Sequence, residues 1–378
     1  DLELSLEDGL TVARVKVGKI KGASRVLRAA REMRLSMTLW RKARNFWRER
    51  SCDLIIFYSP TIFFGSLVRR LKSLWKCPAY LILRDIFPQW ALDAGVMRPG
   101  PIYRFFQMKE LEQYAAADFI GVQSPANREY LARRLPELEP RLEVLYNWMK
   151  LDEGPPPVTH YRDRLGLQNK VVLIYGGNIG LAQDLDNLIR LAWNLRDRPH
   201  LHLLLVGEGS EVERIEAQIA EKGLSNIRRL PAVPQEEYLA LLSEFDVGLV
   251  SLDRRLSTHN FPGKILGYAY LSQPILGSVN PGNDLKDLLE VYQAGLCSFT
   301  GDDETLCANA LALADDAALR LNLGGNARRL LEEKFSVTAT ARQILLHFQN
   351  PLPAWINRSG ADHGDYSGPQ WQVEGIKA

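Results

Sequence analysis

The feature that most limits what this chain can fold into is a proline break in the middle of a repeating pattern. Residues 147–161 hold D-E-G-P-P-P, one glycine and three prolines. Proline has no amide donor and a fixed φ, so this run neither continues a helix nor pairs inside a sheet. On both sides of it, short apolar runs alternate with longer stretches of helical period. Before the break the spacing predicts strands over 11–17, 53–58, 78–83, 119–123 and 142–146, with helices over 24–50, 61–75, 99–117 and 125–135. After it, strands are predicted over 171–175, 201–206, 226–230, 247–252, 274–276 and 295–299. Helices follow most of them, over 184–195, 211–222, 234–244, 263–272 and 284–292, and two more cover 302–314 and 316–335. Strand–helix units repeated in two halves imply an α/β protein of two parallel-sheet domains, each wrapped by helices. The division expected is 1–147, 148–335, a helix over 336–349 that returns to the first domain, and a tail over 350–378 without periodicity.

Composition narrows the function classes. A length of 378 residues favours two domains over one. The formal net charge of +2 gives no electrostatic case for nucleic acid. Cys52, Cys77, Cys297 and Cys307 lack both metal-ligand spacing and the density of a disulfide framework, which suits a reducing cytoplasm. No apolar run reaches the length of a membrane span. One segment does invite a membrane surface. Residues 24–50 contain Arg25, Arg28, Arg31, Arg34, Arg41, Lys42, Arg44, Arg48 and Arg50 against only Glu32 and Glu49, interleaved with Trp40, Phe46 and Trp47. A basic amphipathic helix of this kind lies in an anionic lipid interface, or else packs its apolar side on a core with its arginines in water.

The chemistry concentrates after strands. S-T-H-N-F-P-G-K at 257–264 follows an apolar strand and opens a helix beside Lys264, an arrangement suited to an anion such as a diphosphate. G-G-N-I-G at 176–180 follows the first strand of the second half, and G-E-G-S-E at 207–211 follows the next. Neither has dinucleotide-fingerprint spacing, and neither a Walker loop nor a G-x-S-x-G nucleophile elbow occurs. D-L-D at 184–186 reads as acidic residues opening a helix rather than as a cation site. In the first half, R-D-I-F-P-Q-W at 84–90 stands at a strand end, where ligands of parallel sheets bind. Arg84 and Asp85 there line an active-site cleft or form a surface ion pair.

Taken together, L-R-D-I-F-P-Q-W, G-N-I-G-L-A-Q and F-P-G-K make the chain resemble retaining glycosyltransferases of family 4, over about residues 8–348. The nearest likeness is to the branch that builds bacterial O-antigen and capsule, fucosamine transferases among them. The resemblance implies the GT-B fold, two Rossmann-like domains facing across a cleft. It implies transfer of a sugar, N-acetylfucosamine or another N-acetyl-aminosugar, from a nucleotide diphosphate, UDP by preference, to a polyprenyl-diphosphate-linked acceptor. The place implied is the cytoplasmic face of the cell membrane, as a peripheral protein. No metal is implied, since the helix terminus and Lys264 stand in for one. Donor contacts are expected from Gly177, Asn178, Gly180, Gln183, Glu208, His259, Phe261, Gly263 and Lys264, and catalytic roles from Asp85 and Arg84.

This chain departs from that family in three places. Two glutamates that the family carries fall at His259 and Gly267, so the usual ribose-holding carboxylate is absent. Gln183 stands near the place of a basic pair. The first strand and glycine loop of the N-terminal domain are not visible, and the chain reads as truncated before Asp1. Two other classes therefore stay open, a non-catalytic membrane-associated partner subunit of the same fold and a nucleotide-sugar 2-epimerase.

Overall fold

The computed structural model describes residues 2–17, 31–59, 61–151, 156–257 and 261–348. Strands β1 (Leu2–Glu7) and β2 (Leu10–Val15) pair with each other, antiparallel, from Leu2↔Val15 to Glu7↔Leu10. Asp8 and Gly9 make the turn with φ of 49° and 80°. Asp-Gly is the favoured pair for a two-residue hairpin, because positive φ at both positions matches the twist of the strands. This corrects the expectation of a lone strand over 11–17 inside a parallel domain. Its partner L-E-L-S-L-E is as regular in its period of two, and the hairpin forms a sheet of its own.

The first parallel sheet holds β3 (Ile55–Tyr58), β4 (Ala79–Leu83), β5 (Phe119–Val122) and β6 (Leu142–Val144), in space as in sequence. All five residues of β4 are buried, as expected where both faces of a parallel sheet are covered. Ala79, Leu81 and Leu83 share a core with Leu67, Val68 and Leu71 of the helix Gly65–Trp75 and with Tyr114. Tyr80 and Ile82 point the other way, to Leu145 and Ile344. The basic segment is helical over Leu35–Arg48, with Ser36 and Ala43 buried and Arg34, Met37, Arg41, Arg44 and Arg48 exposed. Arg25 and Arg28 lie outside the described residues.

The second sheet is larger and ordered differently. It contains β7 (Val171–Gly176), β8 (Leu201–Val206), β9 (Ile227–Leu230), β10 (Val247–Ser251), β11 (Ile275–Val279) and β12 (Gly295–Phe299). Their order is β12-β11-β10-β7-β8-β9, all parallel. The chain fills one side of β7 and then returns to fill the other, so the connections leaving β7 and β10 diverge. That divergence opens a crevice at the strands' C-terminal ends, the usual ligand site of such sheets.

The two sheets are tied at their edges. Met149 N donates to Phe335 O at 2.9 Å where the chain passes between them twice. The helix Val337–Leu346 lies against the first sheet: Gln343 Nε2 donates to Val144 O at 2.7 Å, and the His347 ring stacks on Phe119 at 4.0 Å. Loops after β4 and β5 meet loops after β10 and β11. Ser257 N donates to Asp93 Oδ2 at 2.9 Å, and Ala126 N to Asp284 Oδ2 at 2.5 Å. The C-terminal ends of both sheets therefore face the same boundary.

Candidate active site

The crevice of the second sheet is built from two glycine loops laid backbone to backbone. Gly177 N donates to Val206 O at 2.9 Å, Ile179 N to Glu208 O at 2.9 Å, and Glu211 N to Ile179 O at 3.1 Å. A Cβ on Gly207 would come within 1.8 Å of Gly177 O, and one on Gly209 within 2.0 Å of Ile179 O. Only glycine allows carbonyl and Cα this close, so G-E-G buttresses G-G-N-I-G. The buttressed loop then turns through Gly177 at φ +124°.

Lys264 stands over this turn. A Cβ on Gly177 would lie 3.7 Å from Lys264 Cε and 3.8 Å from Nζ. The ammonium sits 3.3 Å from the centroid of the buried Tyr175 ring. Among the described residues no carboxylate pairs with it. Burial pushes the Lys264 ammonium well below the ordinary lysine range. A half-buried cation whose neighbour is an aromatic face gains its missing partner when an anion arrives beside Gly177. The helix Lys264–Tyr270 has only seven residues, so the charge of Lys264, more than a long helix dipole, recommends this place for an anion. Gly263 leads into it with open space where a side chain would be.

The other expected donor residues divide. Asn178 and Gln183 close the loop on themselves, Nδ2 of Asn178 donating to Oε1 of Gln183 at 2.9 Å across Gly180. The Glu208 carboxylate turns to Arg229 Nη1 at 3.2 Å, leaving its backbone in the loop. Phe261 is 3 % exposed and stacked on Tyr146 at 5.8 Å, so its ring is packed in the core. His259 lies outside the described residues. A Cβ on Gly267 would meet Leu242 Cδ1 at 3.3 Å and Leu239 Cδ2 at 3.7 Å, so this position looks onto aliphatic packing.

Three tyrosines escape the sequence expectation. Tyr268 Oη accepts from Gly176 N at 3.1 Å and lies 3.1 Å from both Ile174 O and Leu249 O, stitching β7 to β10 at the reversal. Tyr175 Oη donates to Asn178 O at 2.6 Å and fixes the glycine loop from below. Tyr238 rests its ring end on Gly176. The legible signal was an aromatic residue directly before a glycine pair. The other two depend on helix packing that no local pattern records.

Arg84 and Asp85 lie at the end of β4 in the first sheet. The Arg84 guanidinium lies 4.5 Å from the Trp148 ring centroid and 5.8 Å from that of Tyr58, and its Nη1 is buried without a partner among the described residues. Burial pulls it below the usual guanidinium range, against Tyr58 and Asp85. Burial also raises the Asp85 carboxyl, opposed by Arg84. Backbone bonds hold both in place: Gln123 Nε2 donates to Arg84 O at 2.6 Å and Ser59 Oγ to Asp85 O at 3.3 Å. Among the described residues no group of three His, Cys, Asp or Glu side chains could hold a metal. In D-L-D, Asp186 pairs with Arg214 at 2.7 Å.

This geometry can be set beside known proteins. Residues 158–330, which contain the whole second sheet, match the family model of glycosyl transferases group 1. The chain is also 27% identical over 247 residues to "Putative colanic acid biosynthesis glycosyl transferase WcaI" of Escherichia coli strain K12. The match covers 64% of this chain and 60% of that protein, less than two thirds of the relative's length. Among solved structures, Anabaena HepE in complex with UDP-glucose superposes with a TM-score of 0.64 at 17% identity, covering 83% of this chain and 81% of that one. WaaG, a glycosyltransferase involved in lipopolysaccharide biosynthesis, gives 0.62 at 15% identity, covering 88% and 85%. Sucrose-phosphate synthase of Thermosynechococcus elongatus gives 0.70 at 17%, covering 93% and 85%. At these identities the likeness is one of fold, and the fold is GT-B. The segment that matches that family model carries the crevice with Gly177 and Lys264. Arg84 and Asp85 stand outside it.

Proposed function

We propose that this protein is a retaining glycosyltransferase that moves a sugar from a nucleotide diphosphate, UDP in the first instance, to a lipid-linked saccharide in bacterial surface-polysaccharide synthesis. The observation that carries this reading is Lys264, a half-buried cation that no carboxylate among the described residues pairs with, beside the side-chain-free turn at Gly177. The donor diphosphate supplies the missing anion, and its gain in charge on departure is what Lys264 stabilises. Asp85 takes the acceptor hydroxyl's proton or orients it, a role its raised carboxyl suits. Arg84 orients Asp85 or holds the acceptor's phosphate. The arginine row of Leu35–Arg48 rests on the anionic cytoplasmic leaflet, where a polyprenyl-diphosphate acceptor resides. No helix among the described residues is long and apolar enough to cross a membrane, so attachment is peripheral in this reading. The narrowest form of the proposal has N-acetylfucosamine or a related N-acetyl-aminosugar as the group transferred, without a metal.

The test is incubation with a panel of UDP- and GDP-sugars, with and without membrane lipid extract, reading nucleotide release. Release that needs lipid supports the transferase. Release without lipid, with an altered free sugar, supports a 2-epimerase instead. No release with any donor, although donor binds, supports a non-catalytic partner subunit.

A further inference from the structure

Position 238 offers this crevice a second polar group that neither the glycine loops nor Lys264 account for. The helix Gln235–Ser243 follows β9 and packs beside Lys264–Tyr270. On it, Tyr238 reaches across to the end of β7, so that a Cβ on Gly176 would lie 1.9 Å from the Tyr238 hydroxyl and 2.7 Å from Cζ. The phenol is seated where Gly176 has no side chain. It is half-buried, and its hydroxyl is not among the side-chain atoms that are fully buried without a partner. A half-buried hydroxyl that water can still reach can exchange that water for a hydroxyl of a ligand. Burial raises it to about 12, so it stays protonated and can both donate and accept.

Its place says what it meets. Gly176 and Gly177 are neighbours, with Tyr238 against the first and Lys264 against the second. A ligand whose diphosphate rests at Gly177 and Lys264 has a sugar on either side of the phosphates. The transferred sugar must point to the domain boundary, where an acceptor can reach it. Tyr238 lies on the helix that follows β9, the sheet edge away from the loops after β10 and β11 that meet the first domain, and so is on offer to the nucleoside rather than to the transferred sugar. The facing position on the next helix is Gly267, closed off by Leu239 and Leu242. That wall offers an aliphatic surface at 267 and a hydroxyl at 238.

We propose that the Tyr238 hydroxyl hydrogen-bonds the ribose hydroxyls of a nucleoside diphosphate in this crevice. This rests on the reading of the crevice as a nucleotide-sugar site. It makes ribose recognition neutral here, through a phenol, with no carboxylate on the adjoining helix.

The experiment is calorimetric titration of the full chain and of Tyr238→Phe with UDP, 2′-deoxy-UDP and 3′-deoxy-UDP. The Phe variant keeps the ring seated on Gly176 and removes one atom; an unchanged melting temperature shows that the packing survives. In the unmodified protein, loss of one of the two ribose hydroxyls should weaken binding about three- to tenfold. Tyr238→Phe should weaken UDP by a similar factor and become indifferent to that same deletion. Equal UDP affinity in the two proteins overturns the inference, and so do deletion and substitution effects that multiply independently. Absence of any UDP or GDP binding by the unmodified protein brings down the nucleotide-sugar reading itself, and this inference with it. Normal UDP binding with an inert Tyr238 leaves that reading standing and removes only Tyr238.

Discussion

The two parallel sheets meet the same boundary with opposite devices. In the second sheet the order reverses at β7 and β10, and the crevice this opens keeps its polar groups bare: Lys264 faces a ring, and Tyr238 faces a glycine. In the first sheet the four strands run in sequence order without a reversal, and its polar pair is sunk among aromatic rings and backbone bonds. A cation without a counter-ion waits for a ligand that brings negative charge. A carboxyl raised by burial is prepared to receive a proton. Under the proposed function donor binding falls to one sheet and proton handling to the other, so a substitution on either side should disturb one quantity and spare the other.

The largest effect should come from Asp85→Asn. Turnover is expected to fall by roughly 10² to 10⁴, while calorimetry shows UDP bound as before. Normal turnover would take Asp85 out of the chemistry and leave the first sheet without a catalytic group in this scheme.

Acid should separate the two domains next. His202 in β8 is 6 % exposed, with Nε2 buried and unpartnered, and burial with Arg228 and Lys170 nearby pushes it down to about 4. A histidine depressed in the fold is held neutral there and takes up its proton on unfolding. Its stabilisation is present above the unfolded value, near 6.5, and is lost as pH falls toward 4. The loss amounts to about 3 kcal/mol. Asp253, bonded to Arg255, and Glu244, which accepts from Thr159 N and Arg162 N, are held low and lose stability in the same direction. These outnumber Asp184, raised by burial in that domain. In the first domain Asp85 and Glu110 are raised by burial, so their contribution is fullest at low pH and is lost as pH rises. Hydrogen exchange at pH 5 should show the second domain opening before the first; simultaneous opening, or the reverse order, would erase the electrostatic half of the contrast.

How far the sequence could carry this differs between the same two regions. The alternation around D-E-G-P-P-P revealed the α/β class and nearly every parallel strand to within two or three residues, since apolar runs bounded by Gly and Pro are local signals. G-G-N-I-G and Lys264 were legible for that reason, because a glycine loop after a strand is a local device. What was lost depends on contacts between distant segments. Phe261 looks like a ligand-loop aromatic until Tyr146 is found stacked on it. Glu208 looks available until Arg229 claims it. Tyr238 and Tyr268 lie on helices whose facing can be read only after β7 and β10 are known to be neighbours. The Asp-Gly hairpin, and Tyr175 directly before its glycine pair, are misses that local chemistry could have prevented.

Lys264→Ala should act on the donor side alone. A charge-assisted contact of this kind contributes about 1.5–3 kcal/mol, so UDP affinity should fall roughly 10- to 100-fold, with the donor KM rising to match. Since the ammonium is depressed by burial, the anion should also raise its pKa, and UDP binding near the pH where free Lys264 titrates should take up a proton. Calorimetry in buffers of different ionisation enthalpy measures that uptake. Unchanged donor affinity would move the diphosphate away from Gly177 and dissolve the assignment of the crevice.

The smallest effect should lie on the outer side of the first domain. Arg44 is exposed on the helix Leu35–Arg48, in a row with Arg41 and Arg48, while Ala43 faces inward at 1 % exposure. The helix is therefore packed on one side and exposed on the other, and the two readings of its sequence pattern are not exclusive: its apolar side serves the core while Arg41, Arg44 and Arg48 are exposed. A basic residue close to an anionic surface contributes about 1 kcal/mol, so Arg44→Gln should weaken binding to phosphatidylglycerol vesicles roughly fivefold. It should do so at low salt, with UDP affinity and thermal stability untouched, and the difference should shrink as salt screens the surface. Vesicle binding that is the same with and without Arg44 would leave the row as solvated surface, and the first domain would then need another route to a lipid-borne acceptor.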